Sequence, residues 1–240
     1  MLKGLQNIKA HSEEVQKAKS EKDNLIKVLR ISSGDSVKLR FLTDGDEIIQ
    51  VPFHNYTINF PSGKKFSKDV YCVGRDCPIC SGDNFTEENK AIRQKILAYI
   101  FVYEIEHRQK RPDTDWKLDS ATKKYLEKVN FPMLLFTGKG NGGYIEGLFT
   151  SYYGKYKTLV DRDYTWERKG DSMNDTTYAL MPDDKTKASS IVTESKKGLK
   201  PLEELLTIMY SSDGIRGNTK SGESSQQILD SLTKSDDSLF

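Results

Sequence analysis

Cysteine and histidine are both scarce in this chain, three of each among 240 residues. The cysteine number is odd and all three fall between Cys72 and Cys80, which fits a reducing compartment better than a disulfide framework. Long apolar runs are missing too: none approaches the roughly eighteen residues of a membrane span, and the N-terminus has no apolar signal segment. The expectation is a soluble protein that works where it is made. Excess charge of one sign is the third absence, with 37 basic against 35 acidic residues. Any anion-binding surface must therefore arise from uneven distribution of charge. A hydrophobic content of 36% and a charged content of 30% suffice for one domain of moderate size with polar extensions.

The few cysteines are arranged for a metal. Cys72, Cys77 and Cys80 lie in Y-C-V-G-R-D-C-P-I-C-S-G, and a C-x-x-C turn points two thiolates at one ion while the backbone curls around them. Pro78, followed by Ser81-Gly82, gives the stiff, sharply turning chain that such a knuckle needs. A redox pair would not require the third thiol. His54 is the expected fourth ligand, with His107 and His11 as the alternatives. Four protein ligands leave no place for water, so the predicted site is structural and holds one Zn2+.

Residues 1–30 set seven basic against four acidic side chains among few apolar anchors, which predicts a helical or mobile basic arm. From Ser36 to Leu42 the apolar residues alternate, predicting a strand, closed by the turn Thr43-Asp44-Gly45-Asp46. Glu47 to Phe60 reads as a second strand in which Pro52 marks a bulge or an edge beside His54. Thr86 to Gln94 reads as a capped, charged helix, Lys95 to Arg108 as a strand apolar on both faces, Ala121 to Val129 as a short helix and Phe131 to Thr137 as a strand. Tyr144 to Tyr156 is predicted helical, Asp161 to Gly170 a strand with Thr176 to Met181 as its hairpin partner, and Leu202 to Tyr210 a short helix. Gly138 to Gly143 is glycine-rich but lacks the Lys-Ser/Thr pair and spacing of a phosphate loop. Residues 183–210 are expected to form a linker with that short helix, and 211–240, polar and serine-rich, a disordered tail.

A site that holds flexible polynucleotide needs cations for phosphates and flat rings for bases. Lys38 and Arg40 on the exposed face of the first strand, Lys64, Lys65 and Arg75 around the knuckle, and Lys110, Arg111, Arg162, Arg168 and Lys169 in loops are the candidate cations. Tyr56, Phe66, Tyr99, Tyr103, Trp116 and Trp166 are the candidate stacking rings. A zinc nucleobase deaminase would need H-x-E followed by P-C-x-x-C. His11-Ser12-Glu13 supplies the first half on a charged arm, but the cysteines read C-P-x-C.

The ordered set Val37-Lys38-Leu39-Arg40-Phe41-Leu42, His54, Tyr71-Cys72, Asp76-Cys77-Pro78-Ile79-Cys80, Tyr153-Gly154, Leu159-Val160-Asp161-Arg162-Asp163, Trp166-Glu167-Arg168 and Thr177-Tyr178-Ala179-Leu180-Met181-Pro182 resembles the tailed-phage single-stranded DNA-binding proteins that carry a zinc ribbon on an OB-fold. The resemblance runs from about Ser36 to Pro182; Glu104 to Asn130, long and highly charged, departs from it. It implies a mainly β, α+β fold: an OB-fold-like barrel over 31–182 with a zinc subdomain at 54–82 and peripheral helices. It also implies a non-enzymatic protein that coats single-stranded DNA in phage replication, recombination or repair, in the cytoplasm of an infected bacterial host. The end of the chain, with Asp236, Asp237 and Phe240, resembles the acidic Phe-ended tips by which replication single-strand binders dock phage or host replication and recombination proteins. The basic N-terminal arm would serve self-association on DNA. The rival class is a zinc-ribbon adaptor or transcription-regulatory protein acting through protein contacts.

Overall fold

The longest strand organises the sheet. In the computed structural model, which describes residues 26–209 apart from 60–64, 84, 113, 139–143 and 172–174, β4 (Ile92–His107) has neighbours on both edges. One edge pairs with β6 (Tyr125–Gly138) from Lys95↔Gly138 to His107↔Tyr125. The other edge forks. Its first half pairs with β2 (Ile49–Asn59), its second half with β1 (Ser36–Phe41), all antiparallel. Beyond β2 lies β3 (Lys65–Tyr71), beyond β1 lie β7 (Arg162–Lys169) and then β8 (Thr177–Lys185), and β5 (Lys117–Leu118) flanks the start of β6. The fold is mainly β with a few helices, as the sequence predicts.

Because side chains alternate across a strand, β4 builds two cores. Ile96, Ala98, Ile100, Val102 and Ile105 join Val37, Leu39, Phe41, Met133 and Leu135 on one face. Leu97, Tyr99 and Phe101 join Phe53 and Leu134 on the other. The first face is covered by α3 (Tyr144–Tyr156), whose Phe149 meets Phe41 edge-on at 5.3 Å. The second is covered by α4 (Ser190–Lys197) and α5 (Leu202–Met209), which bury Val192, Leu202, Leu205 and Leu206. Burying an aliphatic side chain contributes roughly 1.5–3 kcal/mol, so these four hold the helices firmly against the sheet. The expected linker at 183–210 is thus corrected: β8 runs to Lys185 and the helices that follow are part of the core.

Other local expectations change for identifiable reasons. The helix expected over Ala121 to Val129 is absent because Asp119 Oδ1 accepts from the backbone N–H groups of Ala121 (2.7 Å) and Thr122 (2.9 Å), turning the chain back so that Tyr125 and Leu126 pair with β5 and β4. Thr86 caps a helix as expected, accepting from the Asn89 N–H, but that helix, α2, is the single turn Glu87–Lys90, since Ile92 is already paired with His54. Pro52 makes no bulge: among the described residues β2 keeps one register against β4. Its carbonyl accepts from Cys72 N–H at 3.0 Å, so its missing N–H faces the Cys72 side and takes nothing from the β2–β4 ladder. Of the N-terminal arm, 26–30 runs extended along β6, with Leu29 N–H donating to Leu134 O at 2.9 Å and Lys27 O accepting from Leu134 N–H at 2.8 Å. Residues 1–25 and the tail 211–240, with Asp236, Asp237 and Phe240, lie outside the described residues.

Candidate metal centre and nucleic-acid interface

The β2–β3–β4 wing brings one histidine and three thiols together. His54 is fully buried in β2, between Val70 of β3 and Ile92 of β4. Cys72 follows β3 directly. Gly74, at φ 77°, opens a 3-10 turn, Gly74–Asp76, that delivers Cys77. Pro78 starts α1 (Pro78–Ser81), which carries Cys80, and the Ser81 N–H and hydroxyl both donate to Cys77 O, at 3.1 and 3.0 Å. Proline suits a first helical turn because its missing N–H would be unpaired there anyway.

The geometry fits one tetrahedral ion. Cys72 Sγ lies 3.7 Å from Cys80 Sγ, Cys80 Sγ lies 3.3 Å from His54 Nε2, and all four ligand atoms are within 4.8 Å of one another. A tetrahedron with metal–sulfur arms of about 2.3 Å has edges of about 3.8 Å, and a sulfur–nitrogen edge is slightly shorter. The four can therefore hold one metal ion. Electrostatics agree with that use. Burial holds His54 below the usual histidine range, against the opposing backbone of Asn89, Ala91 and Lys90, so its ring stays neutral with a lone pair to give. Burial, with the hydrogen bond to Cys72 and the charge of Cys77, pushes the Cys80 thiol up to about 12. A divalent cation among the sulfurs reverses the logic and favours the thiolates.

Val70, Ile79 and Phe85 form a small separate core with the buried Cys72 and Cys77, and Tyr56 lies edge-on to Phe85 at 5.6 Å. Asn89 locks α2 to β2, accepting from Thr57 N–H at 2.9 Å and donating to Thr57 O at 3.3 Å. Of the other histidines, His11 lies outside the described residues, and both ring nitrogens of His107 face carboxylates elsewhere.

Several candidate nucleic-acid contacts prove to be interior. Arg40, expected on an exposed face, is 1% exposed: β1 is covered on both sides, and the guanidinium donates to Asp163 Oδ1 at 2.6 Å and to Thr186 O at 3.0 Å. Tyr99 is buried beneath α5 and donates to Lys200 O at 2.9 Å, while half-buried Tyr103 donates to Asp163 at 3.0 Å. Trp166 is 4% exposed and packs on Phe149 and Tyr178, so the indole is a core residue. Tyr56 belongs to the metal subdomain's core. Arg162 is buried against Asp161 at 2.8 Å, with its guanidinium 3.5 Å from the ring centre of Tyr156. Arg168 donates to Ile31 O at 2.8 Å.

Other candidates stay at the surface. Lys38 is half-exposed and paired with Asp183, Lys169 is exposed beside Glu167 at 3.4 Å, and Arg75 is exposed on the knuckle. Lys110 and Arg111 are exposed in the loop that carries half-buried Trp116, and the Arg111 guanidinium lies 5.5 Å from that indole's centre. Lys64 and the side chains of Lys65 and Phe66 lie outside the described residues. Sequence reasoning missed two ring stacks: Tyr156 against Arg162, and His107 against Trp116, at 3.9 Å between centroids with planes 4° apart. The tyrosines of Tyr152-Tyr153-x-x-Tyr156 were a signal for the first; the second joins a strand end to a loop and leaves no local pattern.

No family model matches the chain, and neither a curated protein nor a solved structure similar to it was found.

Proposed function

We propose that this protein binds single-stranded DNA without strong sequence preference and without altering it chemically. The observation that carries the reading is the loop at the far end of β4, where Trp116 lies half-buried on His107 with Arg111 beside it and Lys110 and Lys117 exposed nearby. A seated aromatic ring among exposed cations is what base stacking and phosphate tracking require, and each base stacked contributes about 1–3 kcal/mol. The ion at His54, Cys72, Cys77 and Cys80 is Zn2+ in a structural role, since sulfur-rich tetrahedral sites select it and four protein ligands leave no open position for a reaction.

We read the forked sheet as an OB-fold-like barrel and the metal wing as its zinc ribbon, in line with the resemblance to tailed-phage single-strand binders. On that reading the protein acts in phage replication, recombination or repair in the host cytoplasm, its tail docks other replication proteins and its basic arm serves self-association. Exposed Val73 (47%) and Ile92 (53%), which flank the metal ligands, favour a second reading, an adaptor that uses the knuckle for protein contacts. Competition separates the two. Labelled oligo-dT bound to the protein should be displaced by unlabelled oligo-dT and not by matched duplex; failure to bind oligo-dT at all favours the adaptor.

A further inference from the structure

His107 ends β4 and is 4% exposed. Its Nδ1 lies 3.0 Å from Asp35 Oδ2 and its Nε2 lies 2.8 Å from Glu127 Oε2. A neutral imidazole carries one N–H, so it would set a lone pair against one of these carboxylates; the imidazolium donates to both. The geometry alone therefore calls for the charged ring.

The surrounding charges act in the same direction. Asp35 is fixed as an acceptor by the backbone N–H groups of Arg108 (3.0 Å) and Ser32 (3.2 Å). The nearby cations are engaged elsewhere: Arg108 with Asp171 at 3.0 Å, Lys124 with Glu106 at 3.5 Å, and Arg111 over Trp116. Burial favours the neutral ring, but the hydrogen bonds and charges of Asp35 and Glu127 outweigh it and raise the His107 pKa above the ordinary value.

We propose that His107 is a positioning residue whose protonation seats Trp116 as a base-stacking platform, so that a nucleobase binds there while the imidazolium persists and is released as the ring turns neutral. This rests on the single-strand reading above. The proton that leaves is the one on Nε2, facing the half-exposed Glu127 carboxylate, and it goes to solvent. The Nε2 lone pair then opposes that carboxylate, the ring turns away, and the indole lying flat on it loses its seat.

The chain has two tryptophans and Trp166 is buried in the core, so Trp166→Phe leaves Trp116 as the sole reporter. Its emission is measured across pH with and without oligo-dT. A protonated imidazole quenches a stacked indole, so emission should rise with pH at a midpoint above about 6.5. Oligo-dT affinity should fall across the same range by about 5- to 150-fold, the worth of one lost stack. Glu127→Gln should move both midpoints toward acid together. Should Trp166→Phe not fold, acrylamide quenching of the wild-type protein reads the same transition in its accessible indole. Emission without a midpoint that Glu127→Gln moves, or affinity that is flat while emission titrates, overturns the proposal. Absence of oligo-dT binding at every pH overturns the single-strand reading instead, because the emission titration reads the His107–Trp116 coupling by itself.

Discussion

Arg40 in β1 donates from Nε to Asp163 Oδ1 at 2.6 Å, joining β1 to β7 under the segment that leads into α4. The guanidinium is 1% exposed and Asp163 23% exposed, so the pair is largely shielded from solvent. Tyr103 shares the same carboxylate oxygen at 3.0 Å. Removing the cation leaves an uncompensated carboxylate, which typically costs 3–5 kcal/mol in a fully buried pair; with Asp163 partly wet, Arg40→Leu should destabilise by about 3 kcal/mol in urea unfolding. The Lys110→Ala and Arg111→Ala variants should unfold like the wild type while binding oligo-dT more weakly.

Loss of a metal ligand should act locally at first. The wing has its own small core at Val70, Ile79 and Phe85, and an ion held by the four ligands would tie β2, β3 and α1 together. Purified wild-type protein should contain one zinc per chain and Cys77→Ser well under one. A chelator should expose the thiols to a colorimetric reagent and lower the melting temperature, while amides in β4 and β6 away from the wing keep their hydrogen-exchange protection. Stoichiometric zinc in Cys77→Ser would mean that the ligand set is wrong.

Stability should depend on pH through Asp35 and His107. The His107 pKa is raised in the fold, so its contribution is fully present below the unfolded value, about 6.5, and is lost as pH rises through the higher folded value. Burial would raise Asp35, yet hydrogen bonds from His107 and the Arg108 N–H bring it below its ordinary 3.8; its contribution is present above that value and lost as pH falls through the lower folded one. Melting temperatures from about pH 4 to about pH 9 should therefore decline on the alkaline side, and His107→Gln should flatten that decline.

Gly45 and Gly147 form a matched test of the first face. A Cβ on Gly45 would lie 2.2 Å from the Tyr153 ring, whereas one on Gly147 meets nothing within 4 Å. Gly45→Ala should cost about 1–3 kcal/mol by forcing that ring away from α3's seat on the sheet. Gly147→Ala, in the first turn of α3, should stabilise by about 0.5–1 kcal/mol. Equal melting temperatures for the two would contradict the packing of Tyr153 against this turn.

The metal quartet was legible because its chemistry is written locally: three thiols in nine residues and a histidine on a strand with a proline beside it. The alternation of Val37, Leu39 and Phe41 likewise announced β1 and one of its faces. What covers the other face was not legible. Tyr99, Phe101 and Tyr103 share a face at period two whether that face meets solvent or helices, and only the folded chain shows Leu202, Leu205 and Leu206 lying on it. Arg40 followed the same logic, since its partner is 123 residues away. The start of β6 was hidden because pairing with β4, a tertiary contact, overrides the weak helical preference of Ala121 to Val129.

The central claim is tested most directly by fluorescence anisotropy of labelled oligo-dT and of matched duplex, titrated with the zinc-loaded protein at several salt concentrations. The account predicts tight binding to the single strand, much weaker binding to duplex, and an affinity that falls linearly on logarithmic axes with salt, the slope shrinking by about 0.7 for each phosphate contact removed at Lys110 or Arg111. Preference for duplex, or single-strand affinity indifferent to salt, would contradict it.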